Sequence, residues 1–108
     1  MPRRGEVWWG RLDPAVGSEI AKTRPCVIVS TNVVNDRRRT VVVIPLSSSP
    51  TASPPLLVTV RCAECDAVAV IDQVRAVSKE RLEQLMGTLS SAHLEAIEEG
   101  LREILDLP

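Results

Sequence analysis

The sequence predicts a mainly β fold with α, a small barrel of short strands against which one C-terminal amphipathic helix docks. Short runs rich in Val, Ile and other strand-favouring residues recur along the chain and are separated by turn residues. Apolar residues at clear helical spacing occur in the last segment, residues 90–105. The 108 residues contain no internal repeat and no long linker, so residues 1–108 are expected to form one domain.

The first half of the chain contains three predicted strands. Residues 40–46 form a continuous β-branched run, which is typical of a strand buried on both faces. Pro45 cannot donate a ladder hydrogen bond, so it indicates an edge or a bulge near the end of that strand. The strands are expected at residues 6–12, 25–29 and 40–46, with a polar loop over residues 13–24 and a charged turn over residues 32–39.

The second half continues with strands and ends in the helix. Further strands are expected within residues 56–61 and 67–77, around a turn that holds Cys62 and Cys65, while residues 81–87 fit either a last strand or a helical turn. Ser90 or Ser91 offers an N-cap for the helix, whose other face is acidic. Residues 47–55 are rich in Ser and Pro and form either a passive connector or a mobile flap over a site.

The net charge of −1 conceals an uneven distribution. Residues 1–40 carry eight basic and four acidic side chains, a net charge of +4, whereas the remaining residues carry five basic and ten acidic ones, a net charge of −5. The excess either forms a positive face for a polyanion or is scattered over the surface. No apolar run approaches the roughly 18 residues of a membrane span, and no signal core begins the chain, so a cytoplasmic protein without a membrane partner is expected.

The sequence predicts neither a metal nor a cofactor. Cys62 and Cys65 have the spacing of half a zinc site, but structural zinc needs four ligands and no second pair is present. A reduced cysteine pair in a turn is the favoured interpretation, and a zinc site shared between subunits is the alternative. The single histidine, His93, is expected at the surface, and no HExxH motif, phosphate-binding glycine loop or paired-carboxylate motif occurs.

The remaining chemistry fits RNA cleavage without a metal, because the ribose 2′-OH is a built-in nucleophile. A guanidinium matches phosphate oxygens and stays charged, and a hydroxyl can donate to the same oxygens. Arg24 and Ser47 are the candidates, since loops at two strand ends can meet at one rim of a small barrel. Phe and Tyr are absent, and Trp8 and Trp9 must face opposite ways on a strand, so one is expected in the core and the other beside a base or a partner subunit.

Several segments resemble the MazF/PemK toxins in order and in spacing, from about Arg3 to the C-terminus. They are RGEVWW at residues 4–9, LDP at 12–14, GSE at 17–19, KTRP at 22–25, TVVVIPLS at 40–47, DQVRAV at 72–77 and GTLS at 87–90. The resemblance implies an SH3-like barrel with a C-terminal helix, acting as a homodimer with RNA along the dimer groove. It also implies selective cleavage of single-stranded RNA, commonly mRNA, to a cyclic phosphate and a 5′-OH, and inhibition by a cognate antitoxin.

The resemblance also assigns roles to individual residues. Arg24 matches the family's catalytic arginine, and Ser47 stands where the family has a catalytic threonine, although the consecutive serines leave Ser48 as an alternative. Glu19 matches an acidic residue of the site and is either a base or a partner of Lys22 or Arg24. The expected RNA contacts are Arg3, Arg4, Arg11, Lys22, Thr23, Arg37, Arg38, Arg39 and Trp8.

Two other functions compete with this one. A toxin of the same barrel could inhibit DNA gyrase through its terminal helix without any enzymatic activity, and the Ser for Thr difference leaves room for an inactive nucleic-acid-binding barrel. Residues 22–25 and Ser47 favour the nuclease, because a gyrase inhibitor needs neither.

Overall fold

A computed structural model describes residues 1–14, 16–48 and 53–108 of the chain. The described residues form seven strands and two α-helices, with 3-10 turns at Ile71–Gln73 and Lys79–Arg81. The elements are β1 (Glu6–Arg11), β2 (Thr23–Ile28), α1 (Asn32–Arg37), β3 (Thr40–Ser47), β4 (Leu57–Cys62), β5 (Cys65–Val70), β6 (Arg75–Ser78), β7 (Leu82–Thr88) and α2 (Ser91–Ile104).

The strands form one curled antiparallel sheet in the order β4-β5-β3-β2-β1-β7, and β6 pairs with β3 beside β5. The two ends of this order approach each other, since a Cβ on Gly87 of β7 would lie 2.9 Å from the Sγ of Cys62 in β4. The prediction of a mainly β barrel with a C-terminal helix is therefore confirmed.

The curled sheet buries an apolar cluster on each face. The larger cluster lies between the sheet and α2 and includes Val7, Val27, Ile44, Val60 and Ile97, all fully buried. The smaller cluster lies on the other face of the same strands, among Leu12, Cys26, Ile28, Val41, Val43 and Val77. Most of β3 and the second half of β2 are thus buried on both faces, which explains why those stretches are continuously apolar.

Helix α2 closes the larger cluster. The Ser90 hydroxyl accepts a hydrogen bond from the His93 N–H at 3.2 Å, which confirms the N-cap expected at Ser90 or Ser91. Gly100 is buried where the helix meets the segment before β4, because a Cβ there would lie 3.0 Å from the Pro55 carbonyl oxygen. Neither helix of the described residues combines the length and apolarity needed to cross a bilayer.

The structure corrects two expectations about local structure and decides a third. The charged turn expected at residues 32–39 is wrong, because Asn32–Arg37 forms α1, capped by the Thr31 hydroxyl. Pro45 does not lie on an edge: β2 flanks one side of β3, and Pro45 falls between the residues that pair with β6 and those that pair with β5. Of the two interpretations of residues 81–87, a last strand or a helical turn, the strand is confirmed, because Leu82–Thr88 forms β7.

Candidate active site

The register of the sheet brings Arg24 and Ser47 to the same point on its rim. Strands β2 and β3 pair Cys26 with Pro45 and Val27 with Ile44. The ladder ends at Cys26 and Pro45, and the same register continued by two residues would set Arg24, near the start of β2, opposite Ser47, the last residue of β3. Directly opposite residues project to the same face with Cβ atoms about 4.5–5.5 Å apart, so the pair is presented together.

A pocket of about 300 Å³ opens at this point of the rim. Arg24, Ser47 and Ser48 lie in its wall, and Arg24 and Ser47 are half-buried. The complete lining is Trp9, Thr23, Arg24, Pro25, Leu46, Ser47, Ser48, Cys65, Asp66, Ala67 and Met86. A fixed positive charge, several hydroxyls and an aromatic face therefore surround one open cavity. Residues 49–52 of the expected flap lie outside the described part of the chain.

Arg24 is positioned by the loop that precedes it. Its Nε donates to the Ala21 carbonyl at 3.3 Å. The loop itself is fixed because the Lys22 N–H donates to the Asp13 carboxylate at 2.9 Å, and the Leu12 N–H donates to the Lys22 carbonyl at 2.8 Å. These contacts use one nitrogen of the guanidinium and orient the group toward the pocket wall.

Glu19 lies away from this pocket wall. Its carboxylate accepts from the Val16 N–H at 2.6 Å within its own loop, and no ion pair joins it to Lys22 or Arg24 among the described residues. The carboxylate that does line the pocket is Asp66, which pairs with Arg61 at 2.9 Å. No local sequence signal selects Asp66, because its place in the pocket wall depends on how β5 pairs with β3.

The two tryptophans face opposite ways, as the strand alternation requires. Trp8 was the one expected to contact RNA, but Trp9 is the one that faces the pocket. Trp8 packs against the smaller cluster, and its Nε1 donates to the Glu6 carboxylate at 3.1 Å. Trp9 is 36% exposed and lines the pocket. The structure thus places Trp9, and not Trp8, beside Arg24.

Comparison with known proteins agrees with this fold. Residues 3–105 match the family described as PemK-like, MazF-like toxin of type II toxin-antitoxin system. The chain belongs to this family. It is 36% identical to the endoribonuclease MazF9 of Mycobacterium tuberculosis, over 99% of this chain and 98% of that protein. It is 27% identical to the endoribonuclease EndoA of Bacillus subtilis, over 97% of this chain and 95% of that protein.

Solved structures of similar proteins share the fold of this toxin. A crystal structure of MazF from Deinococcus radiodurans superposes with a TM-score of 0.87 at 20% identity, covering 98% of this chain and 97% of that one. A mycobacterial endoribonuclease in complex with its cognate antitoxin superposes with a TM-score of 0.85 at 24% identity, covering 100% and 98% of the two chains.

Three of the arginines expected to contact RNA are engaged elsewhere on the toxin. Arg3 pairs with Asp36 at 2.6 Å, and Arg11 pairs with Glu83 at 3.2 Å. Arg4 pairs with Glu98 at 2.6 Å and also donates to the Val29 carbonyl, so it joins α2 to the segment before β1 and to the residue that follows β2. Thr23 lines the pocket, Lys22 is exposed in the loop before it, and Arg37 ends α1.

The remaining expected contacts, Arg38 and Arg39, lie at the opposite end of β3 from Ser47. Together with Ser78, Lys79 and Glu80 they surround an open depression of about 390 Å³, which we call the basic patch. It holds three cationic side chains and one carboxylate. Within one protomer, the expected RNA contacts therefore lie at the pocket, at the basic patch and in ion pairs elsewhere, and they do not form one continuous surface.

The histidine and the cysteines also have definite positions. His93 is half-buried, and its Nδ1 accepts from the Arg61 N–H at 3.2 Å. All three cysteines are free thiols. Within residues 1–14, 16–48 and 53–108, no cluster of three or more His, Cys, Asp or Glu side chains is arranged to hold a metal ion.

Proposed function

We propose that this toxin is an endoribonuclease that cuts single-stranded RNA, most naturally mRNA, selectively and without a metal. The observation that carries the proposal is the convergence of Arg24, Ser47 and the exposed face of Trp9 on one pocket. The related proteins named as endoribonucleases support the same reaction class.

The reaction that fits these residues uses the RNA as its own nucleophile. The ribose 2′-OH loses its proton and attacks the adjacent phosphorus, and the bond from phosphorus to the 5′-oxygen breaks, giving a cyclic phosphate and a 5′-OH. Arg24 keeps its proton at any working pH, so its role is to stabilise the charge that builds on the phosphate oxygens. The hydroxyl of Ser47, with Ser48 as the alternative, donates to the same oxygens.

Two carboxylates compete for the role of the base. Glu19 is the one implied by family resemblance, whereas Asp66 is the one that lines the pocket. A base must come within hydrogen-bond reach of the 2′-OH, which favours Asp66 unless the loop that carries Glu19 moves when RNA binds. The variant, Glu19→Gln or Asp66→Asn, that lowers kcat while leaving RNA affinity intact identifies the base.

Binding of the RNA strand involves the pocket and more distant charges. Trp9 offers a stacking surface for a base, a role the sequence had suggested for Trp8. The basic patch, with Lys22 and Thr23 nearer the pocket, supplies phosphate contacts. We further propose that the toxin acts as a homodimer in the cytoplasm, where its RNA substrate is, and that a cognate antitoxin inhibits it by covering the pocket.

The pocket favours the nuclease over the two alternatives. A gyrase inhibitor that acts through α2 has no use for an arginine and two serines around a cavity that no residue of α2 lines. An inactive barrel would bind RNA but leave it intact, which makes the two outcomes easy to separate.

The test uses purified toxin, single-stranded RNA of varied sequence and excess EDTA. We expect cleavage at a restricted set of sites, with products that carry a cyclic phosphate and a 5′-OH. A matched RNA with a single 2′-deoxynucleotide at a cut site should remain whole there and still be cut elsewhere. Intact RNA with the wild-type toxin, or cutting at the deoxynucleotide, would contradict the proposal.

A further inference from the structure

The two cysteines of the β4–β5 hairpin face each other directly. Cys62 ends β4, Cys65 begins β5, and the two are register partners. The two residues between them, Ala63 and Glu64, both have positive φ, 52° and 63°. Positive φ at both central positions is the signature of a type I′ turn, the tightest common hairpin connection. The hairpin therefore holds two thiols on one face of adjacent strands.

The two thiols differ in their surroundings. Cys62 is buried in the larger cluster, with its Sγ close against Gly87. Cys65 is exposed and lines the same pocket as Arg24 and Ser47. One thiol of the pair thus faces the candidate site, and the other lies behind it in the core.

The hairpin geometry is compatible with a disulfide. Opposite residues of an antiparallel ladder have Cα atoms about 4.5 or 5.5 Å apart, and both values lie within the roughly 4.4–6.8 Å that disulfides span. Their Cβ atoms are about 4.5–5.5 Å apart, slightly more than the roughly 3.5–4.5 Å of a disulfide. Closing the bond requires the two strand ends to move toward each other by a fraction of that distance, and a disulfide closed under such tension is readily reduced.

We propose that Cys62 and Cys65 form a thiol-modification site, which low-molecular-weight disulfides oxidise to an internal disulfide that reversibly slows the toxin. This inference rests on the proposed nuclease function. In the first step the Cys65 thiolate attacks one sulfur of the small disulfide, forms a mixed disulfide and releases one thiolate. In the second step the Cys62 thiol loses its proton, its sulfur attacks the Cys65 sulfur, and the second small thiol leaves. One small disulfide is reduced to two thiols, and one protein disulfide forms.

The order of the two steps follows from access. Cys65 is exposed to the reagent, whereas burial and then the neighbouring Cys65 raise the pKa of Cys62 above its usual value. Once Cys65 is bound in the mixed disulfide it carries no charge, so it no longer contributes to the raised pKa of Cys62. The third thiol, Cys26, is fully buried, and burial raises its pKa to about 12 although Arg75 acts in the opposite direction, so it does not compete.

Oxidation is expected to change the pocket, because the two strand ends differ in freedom. Cys62 is buried in the larger cluster, with its Sγ beside Gly87, whereas Cys65 is exposed, so closure is expected to draw the Cys65 end of β5 toward β4. The displaced end of β5 carries Cys65, Asp66 and Ala67, which form one wall of the pocket. A catalytic geometry shifted by about 1 Å can cost up to about 100-fold in rate, so we expect cleavage to slow by roughly tenfold to 100-fold.

The experiment compares the full toxin before and after treatment with oxidised glutathione, and again after dithiothreitol. We expect the intact mass to fall by two hydrogen masses, two of the three thiols to become unreactive, cleavage of a fixed RNA to slow, and reductant to reverse all three changes. Failure to form the internal disulfide overturns the inference, as does a disulfide that leaves the cleavage rate unchanged.

Variants separate the steps. Cys62→Ala should retain one glutathione on Cys65, and Cys65→Ser should show the same rate with and without the oxidant. Cys26→Ala should respond like the wild type, whereas loss of the response in that variant would overturn the assignment to the hairpin. If even the reduced toxin leaves RNA intact, the proposed function fails, while the mass measurement still tests the disulfide.

Discussion

The two ends of β3 carry two open depressions, each with an arginine in its wall, and they differ in the groups around that arginine. At the Thr40 end, the basic patch concentrates Arg38, Arg39 and Lys79 with a single carboxylate. At the Ser47 end, the pocket holds Arg24 together with hydroxyls, an indole face and an apolar floor. The first offers only charge, whereas the second offers charge beside groups that can orient a nucleotide.

The difference shows why positive charge alone does not locate a nuclease site. A phosphate contact fixes position on the strand but cannot place the 2′-OH in line with the breaking bond. That alignment requires groups of different chemistry held close together, which the pocket shared by Arg24 and Ser47 provides. The comparison predicts that equal substitutions at the two ends have unequal effects.

The largest expected effect is at Arg24. Arg24→Ala should lower kcat by roughly 100-fold or more, because it removes the donor that stabilises charge on the reacting phosphate. Arg39→Ala removes the same charge at the other end of β3 and should act mainly on KM. Single-turnover cleavage of one RNA by both variants measures the contrast. Similar losses of kcat in the two would show that the site assignment is wrong.

The next effect is expected at the serines. Loss of a hydrogen bond to a charged group costs about 1.5–3 kcal/mol, so Ser47→Ala should slow cleavage by about tenfold to 100-fold. Ser48→Ala is the matched control, and Ser47→Thr should retain most of the activity because it keeps the hydroxyl. If Ser48→Ala shows the larger loss in the same rate assay, the catalytic hydroxyl belongs to Ser48.

The tryptophans provide a third contrast. Trp9→Ala should weaken RNA binding by roughly tenfold, since stacking on one base is worth about 1–3 kcal/mol, with little change in the free energy of unfolding. Trp8→Ala should instead destabilise the fold by about 2 kcal/mol, around half the cost at a fully buried position. Fluorescence anisotropy with labelled RNA and urea denaturation measure the two quantities. A binding defect confined to Trp8→Ala would reverse the assignment.

The smallest expected effect concerns the basic patch. Arg38→Gln combined with Arg39→Gln should weaken binding only a few-fold and should do so equally for all RNA sequences. For a single strand, each lost phosphate contact reduces the slope of log affinity against log salt by about 0.7. Affinities measured at several salt concentrations reveal the change. An unaltered slope would mean that RNA does not reach this end of β3.

The sequence was sufficient for most of the fold because its signals are local. Runs of strand-favouring, apolar and β-branched residues predicted β1 to β3, and Ser90 or Ser91 with the spacing of the following apolar residues predicted α2. Helix α1 was missed because its six residues are mostly charged or polar, although Thr31 provides the N-cap signal that would have found it.

The positions of the side chains were harder to predict because they depend on long-range contacts. Alternation along β1 required Trp8 and Trp9 to face opposite ways, but the curl of the sheet decides which one meets the pocket. Arg4 was predicted to contact phosphate, but in the structure it pairs with Glu98, 94 residues away along the chain. Asp66 enters the pocket only through the pairing of β5 with β3, which no local pattern encodes.

The register that sets Arg24 opposite Ser47 also determines where the chain can tolerate changes in length. Extra residues at the exposed tip of the β1–β2 loop lie outside the ladder and leave the guanidinium and the hydroxyl facing one another. A single residue inserted between Arg24 and Cys26 would instead turn the guanidinium to the reverse side of the sheet. The loops around the pocket should therefore tolerate changes in length, provided that the two-residue interval from Arg24 to the ladder stays constant.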